Sequence, residues 1–287
     1  MVTVPAEGRW SIRALSDDDG GPALSFLRRD PLINVYLVSR LLEERFVAAT
    51  QIVEVRYGGE IVLVASLATN VVMATDPQSP ADVIDAAVAA IAERILTRIL
   101  PVRAIISPAP LVESLWHRLQ AQLDPPTVVR MSQPVYAIAG RLDYPDLRES
   151  RFSAHHDLDA LVPACAAMHK EEVGIDPLER DALGYRERIR ELVDKKRSLI
   201  RVHDGRIVAK CEFSAVTPEA VQLMGVWTHP RYRRHGFARA LLQEVCGHLA
   251  RKGKSVTLFV NDFNRPAIAL YESLGFRQIG INRALIW

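Results

Sequence analysis

Trp227-Thr228-His229-Pro230-Arg231-Tyr232-Arg233-Arg234-His235-Gly236-Phe237-Ala238 reads as a strand end, a basic turn and a helix start. It opens into Ala240-Leu241-Leu242, Val245 and Leu249, whose spacing predicts an amphipathic helix. Four arginines lie between Arg231 and Arg239, with no acid among them. A helix start leaves backbone N–H groups unpaired and carries a partial positive charge. Arginines and a glycine at that point make a site for a phosphorylated ligand.

The rest of the chain bounds what that ligand serves. Its 287 residues are 49% hydrophobic and 24% charged, enough for two ordinary domains with full cores. A net charge of +2 argues against a nucleic-acid binder, so the basic cluster is a local feature suited to a small anion. Cys165, Cys211 and Cys246 are widely spaced and form no C-x-x-C pair, which points to buried thiols in a reducing compartment. Met1 to Trp10 lacks the apolar core of a leader, and no run approaches a membrane span; Val83–Ile91 comes nearest but is broken by Asp85 and Glu93. These features read as a soluble, cytoplasmic protein. His155, His156 and His169 do not form a metal set, and neither H-E-x-x-H, a G-x-S-x-G elbow nor a full P-loop occurs.

A stretch of turn composition at 140–150 divides the chain, giving expected domains over 1–142 and 150–287. In the second, a short strand over 151–155 precedes helices to about Glu172 and over 179–196. Strands over 198–203 and 206–216 join at Asp204-Gly205, and a third covers 219–228. The helix from Gly236 to Lys252, a strand over 255–260, a helix from Asn264 to Gly275 and a last strand over 276–286 complete it. The first half gives a similar order: a strand over 10–15, helices over 17–29 and 32–45, and a hairpin over Gly58-Gly59. A short strand over 71–74, a helix over 80–98, a strand over 102–107, a helix over 110–119 and a strand over 128–139 follow. The fold class expected is therefore α/β, as two like-folded domains, each a mixed, mostly antiparallel sheet flanked by helices. The turn before the 80–98 helix, Thr75-Asp76-Pro77-Gln78-Ser79, has no arginine or glycine and carries an acid. The first domain is expected to bind no phosphorylated cofactor and to serve as scaffold, substrate wall or homodimer surface.

Arg233-Arg234-His235-Gly236-Phe237-Ala238 resembles the Arg/Gln-x-x-Gly-x-Gly/Ala signature of the GNAT superfamily of acyl-CoA-dependent N-acyltransferases. About 26 residues after Ala238 comes Asn264-Arg265-Pro266-Ala267-Ile268-Ala269-Leu270-Tyr271-Glu272-Ser273-Leu274-Gly275-Phe276. It is similar to the family's second motif, Asn-x-x-Ala-x-x-Leu-Tyr-x-x-x-Gly-Phe, at every fixed position. The close resemblance covers 198–280, and the whole looks like a bacterial tandem protein whose N-terminal domain is degenerate and uncharacterised.

The resemblance implies an N-acetyltransferase that moves acetyl from acetyl-CoA to an amine by direct attack in a ternary complex, without a metal. Coenzyme A pyrophosphate would rest on the N–H groups of Arg234, His235, Gly236, Phe237 and Ala238, with Arg233 and Arg234 adding charge. The pantetheine arm would pair with the strand at Val226, Trp227 and Thr228, and the Val226 amide would hold the oxyanion. Asn264 and Ala267 would meet the cofactor from the second motif, although Asn264 also reads as a plain helix cap. Tyr271 would protonate the leaving thiolate. The base is open among Glu212, Glu171 and Glu172. Lys210, Glu212 and Ser214 share one strand face, which reads either as a solvent-facing stripe or as the cleft wall. Gly225 marks a bulge or a packing accommodation beside Trp227. The alternative reading is a non-catalytic module that holds acyl-CoA and reports on it.

Overall fold

The computed structural model describes residues 10–15, 20–43, 52–98 and 102–287. The leader reading over Met1–Trp10 and the outer parts of the helices expected at 17–29 and 32–45 lie largely outside them. The chain forms an α/β fold in which helices flank mixed, mostly antiparallel sheet. It divides into two compact units.

The first unit comprises the described part of Met1–Tyr136 with Phe259–Arg265 and Gln278–Trp287. Strand β1 (Trp10–Ala14) precedes helices α1 (Gly20–Leu27) and α2 (Val35–Glu43). Strands β2 (Ile52–Tyr57), β3 (Glu60–Leu67) and β4 (Asn70–Thr75) follow, then α3 (Ala81–Arg98), β5 (Ala104–Pro108), α4 (Ala109–Leu119) and β6 (Val128–Ile138). The β2–β3 hairpin turns at Gly58 (φ 59°) and Gly59 (φ 92°), a left-handed pair that glycine adopts freely. The neighbours run β1-β2-β3-β4-β5, antiparallel except for the β4–β5 pair. The C-terminal strand β12 (Arg277–Ile286), expected with the second domain, lies next to β5, antiparallel, from Asn282↔Pro108 to Ile286↔Ala104. Helices α3 and α4 cover one face through Val88, Ile91, Leu115 and Leu119, while α1 and α2 cover the other through Phe26, Leu27 and Leu37. With both faces covered, β3 is buried almost throughout, which is why it reads as a continuous apolar run.

The second unit comprises Ala137–Leu258 and Pro266–Arg277. Its elements are β7 (Ser150–Phe152), α5 (Leu158–Val173), α6 (Pro177–Asp194), β8 (Ser198–His203), β9 (Arg206–Val216), β10 (Ala220–Thr228), α7 (Phe237–Arg251), β11 (Ser255–Phe259) and α8 (Arg265–Ser273). The strand order is β11-β10-β9-β8-β7, antiparallel except for β10–β11. Helices α5 and α6 bury Leu161, Val162, Cys165, Ile189 and Val193 with Ile200 and Ile207. Helix α6 breaks at Asp181, whose carboxylate accepts from the Gly184 N–H at 2.9 Å. Helix α7 buries Leu241, Leu242, Val245 and Cys246 and packs on β9 and β10. All three cysteines are buried. The segment expected as a linker packs tightly on α7: a Cβ at Gly247 would stand 2.2 Å from the Pro145 carbonyl oxygen.

Candidate functional site

Strand β10 changes partners along its length. Ala220, Val221 and Gln222 pair with Ser255, Val256 and Thr257 of β11, and the register ends there. Beyond Gln222 the strand keeps β9 as its partner, with an irregularity between Met224↔Glu212 and Trp227↔Lys210. Three steps on β10 face two on β9, so one residue is extra and the strand bulges at Gly225 and Val226. Gly225 sits at φ 58°, and an added Cβ would meet Glu212 Oε2 at 3.1 Å, Lys210 Nζ at 3.2 Å and Met168 Sδ at 3.2 Å. The sequence left bulge and packing as alternatives; here glycine serves both. Val226 is half-buried, while Trp227 turns inward onto Ala164 and Met168.

The basic turn follows at the end of the same strand. Pro230–Tyr232 forms one tight turn, Arg234 takes φ 65°, and Gly236 takes φ 84° as the cap of α7. No atom lies within 4 Å of a Cβ built on Gly236, so the space before the helix start is open. The first-turn amides of Phe237 and Ala238 have no intrahelical acceptor. The turn is braced from beneath by rings: Phe237 packs on His203 and Tyr232 at centroid distances of 5.2 and 5.9 Å, and Tyr232 on His229 at 5.4 Å. Phe237 thus gives its side chain to the bracing cluster and leaves its backbone N–H without an intrahelical acceptor. Sequence reasoning missed His203, whose role depends on a strand far away in the chain. His235 bonds the Arg233 carbonyl oxygen at 2.8 Å and stays exposed.

The arginines are not equivalent. Arg233 donates from Nε to the Thr228 carbonyl oxygen at 3.1 Å and from Nη2 to Glu171 at 2.5 Å. Glu171 also accepts from the Trp227 indole at 3.3 Å. This carboxylate therefore tethers α5 to the basic turn. Arg239 reaches across to the Ser273 hydroxyl at 2.6 Å.

Tyr271 is 6% exposed and packs on Phe276 at 5.8 Å. Burial raises its pKa well above the usual phenol range, and the Glu172 carboxylate pushes it further. The phenol thus stays protonated at neutral pH, and the negative charge of Glu172, exposed near the end of α5, favours the same neutral form. Glu212 is buried: it pairs with Lys210 at 2.7 Å and accepts from the Cys165 thiol at 3.2 Å. Lys210 is 0% exposed, so the solvent-stripe alternative for Lys210, Glu212 and Ser214 does not hold. This face lies under α5 instead. Ala267 is half-buried in the first turn of α8. Asn264 falls in Phe259–Arg265, the segment grouped with the first unit, where its N–H closes a turn on the Asn261 carbonyl oxygen at 2.9 Å.

Residues 165–276 match the acetyltransferase (GNAT) family. This part of the chain belongs to the GNAT superfamily. Residues 63–161 match a domain of unknown function, DUF4081, so the GNAT domain follows a region of uncharacterised type. The chain is 38% identical over 81 residues to [ribosomal protein bS18]-alanine N-acetyltransferase of Escherichia coli K12; the match covers 28% of this chain and 54% of that one. The chain thus spans about half the length of that curated relative. Across 99% of its length the chain shares a fold with a GCN5-related N-acetyltransferase from Sphaerobacter thermophilus, at TM-score 0.62, 18% identity and 97% coverage of that structure. A tandem GNAT protein from the clavulanic acid biosynthesis pathway aligns over 96% of this chain and 98% of its own, at TM-score 0.57 and 16% identity. Among the described residues no helix is long and apolar enough to cross a membrane, and no three metal-ligating side chains gather.

Proposed function

We propose that the chain is an acetyl-CoA-dependent N-acetyltransferase acting on a primary amine, with its chemistry in the second unit and a first unit that is a degenerate copy of the GNAT fold. The supporting observation is the loss of β11 pairing after Gln222 directly ahead of a glycine-opened, arginine-flanked helix start. Phosphates of the coenzyme would accept from the amides at Gly236, Phe237 and Ala238. The free edge of Val226–Thr228 would take the pantetheine arm as an added strand. The thioester carbonyl would then face the Val226 N–H, which stabilises the charge that develops on oxygen during attack.

The amine must lose a proton before it attacks. Glu212 is engaged by Lys210 and Cys165, and Glu171 by Arg233 and Trp227. We assign the removal of that proton to a carboxylate of this set, Glu171, Glu172 or Glu212, acting directly or through water. Tyr271, held neutral by its environment, then protonates the departing thiolate. A screen of amines with acetyl-CoA, read by release of free thiol, tests the reading. Acetyl-CoA-dependent thiol release with an acetylated amine product supports it; coenzyme binding without transfer to any amine supports a binding module instead.

A further inference from the structure

Lys210 is fully buried and all three of its ammonium hydrogens have acceptors: Glu212 Oε1 at 2.7 Å, the Gly225 carbonyl oxygen at 3.1 Å and Met168 Sδ at 3.4 Å. A buried ion pair of this kind is a poor stabilising device, since desolvation offsets much of the attraction. Its placement suggests a different purpose. The Gly225 carbonyl belongs to the same peptide plane as the Val226 N–H, and in a trans peptide the two point in opposite directions. A cation fixed on the carbonyl therefore sets where the N–H points and adds to its partial positive charge. Glycine at 225 has no side chain to hold this bulge in place, and its φ of 58° gives it wide freedom. The constraint must come from outside the strand, and Lys210 supplies it.

The geometry points to Lys210, anchored by Glu212, as a positioning residue that aims and polarises the Val226 amide toward the thioester carbonyl. Cys165, pushed up to about 12 by burial, donates to Glu212 as a neutral thiol and leaves the pair's charge balanced. Met168 closes the remaining side. This inference rests on the acyltransferase reading, because it assigns the purpose of the same amide.

The test replaces the pair by neutral side chains of similar shape, Lys210→Met with Glu212→Gln, so that neither charge is left buried alone. The matched control is Arg201→Met with Glu244→Gln, a second buried pair in the same unit, 3.1 Å apart, that touches none of the proposed site residues. Coenzyme A affinity, measured by calorimetry, should stay within about threefold for both variants. Acetyl transfer should separate them: kcat of the Lys210 variant falls about 10- to 100-fold with little change in the KM for acetyl-CoA, while the control keeps its kcat. A kcat within threefold of wild type in the Lys210 variant overturns the positioning role and leaves the acyltransferase reading standing. Wild-type protein that neither binds acetyl-CoA nor transfers acetyl overturns both.

A second measurement needs no variant to fold. In wild-type protein with 15N-labelled lysine, the Lys210 ammonium resonance should shift further with acetyl-CoA than with coenzyme A. Only the thioester carbonyl loads the far side of the peptide that Lys210 holds. Identical shifts with the two ligands overturn the inference.

Discussion

Gly236→Ala separates what the turn needs for folding from what it needs for binding. The residue sits at φ 84°, where an alanine costs about 1 kcal/mol or slightly more in backbone strain. No protein atom lies within 4 Å of the added methyl, so no clash contributes. For a chain of this size the strain lowers Tm by about 2–4 °C. Gly253→Ala is the matched control: its φ is 72°, its Cβ also meets nothing within 4 Å, and it lies past the opposite end of α7. The two variants should lose equal stability. They should differ in coenzyme A affinity, because only at 236 would the methyl stand between the phosphates, as proposed, and the first-turn amides. Lengthening one or two charge-assisted bonds costs about 1.5–3 kcal/mol, or roughly 10- to 100-fold in Kd. Thermal melts and titration calorimetry on both variants measure the two effects separately. If Gly236→Ala melts like Gly253→Ala and binds coenzyme A like wild type, the phosphates do not rest on this turn.

Tyr271→Phe should keep coenzyme affinity while kcat drops about 10²- to 10⁴-fold, in steady-state assays that follow free thiol. An ordinary phenol ionises near ~10, and above that the unfolded chain loses a proton that the buried Tyr271 retains; stability should therefore fall as pH rises past about 10. Tyr185, Cys165 and Cys211, each pushed up to about 12 by burial, add slopes of the same sign, the thiols from about 8.5 upward, so denaturant titrations should show a shallower decline above about pH 10 in Tyr271→Phe, not its disappearance. Glu171→Gln frees Arg233 from an exposed pair of little intrinsic worth, so Tm should hold within about 1 °C while coenzyme affinity, by calorimetry, rises a few-fold. Gly247→Ala should destabilise by about 1–3 kcal/mol in denaturant melts, because its methyl would stand 2.2 Å from the Pro145 carbonyl oxygen and backbone cannot yield as a side chain can.

Local signals in the sequence placed most elements. The Gly58-Gly59 and Asp204-Gly205 turns fix their hairpins through backbone conformation alone, and the Gly236 cap marks the start of α7. Long-range pairing was not legible. Nothing in Arg277–Ile286 announces β5 as its partner, because a strand's neighbour is set by global topology rather than by its own residues. Alternation put Lys210 and Glu212 on one face but could not say whether that face was covered; α5 covers it. The Arg233–Glu171 pair joins residues that only the fold brings together. The motif residues at 233–238 and 264–276 carried the family resemblance. The burial of Lys210 was not legible, because a lysine in a strand ordinarily signals solvent.

Under the proposed function, one phosphate-binding turn, that of the second unit, serves the whole chain. In the first unit the turn ahead of α3 carries Asp76, which accepts from Arg29 at 2.6 Å and from the Gln78 N–H at 2.9 Å. Titration calorimetry of the intact protein with acetyl-CoA tests this most directly. The expected result is one site per chain, lost when Arg233 and Arg234 are both changed to glutamate. Two equivalent sites, no binding, or binding indifferent to that double charge reversal would contradict it.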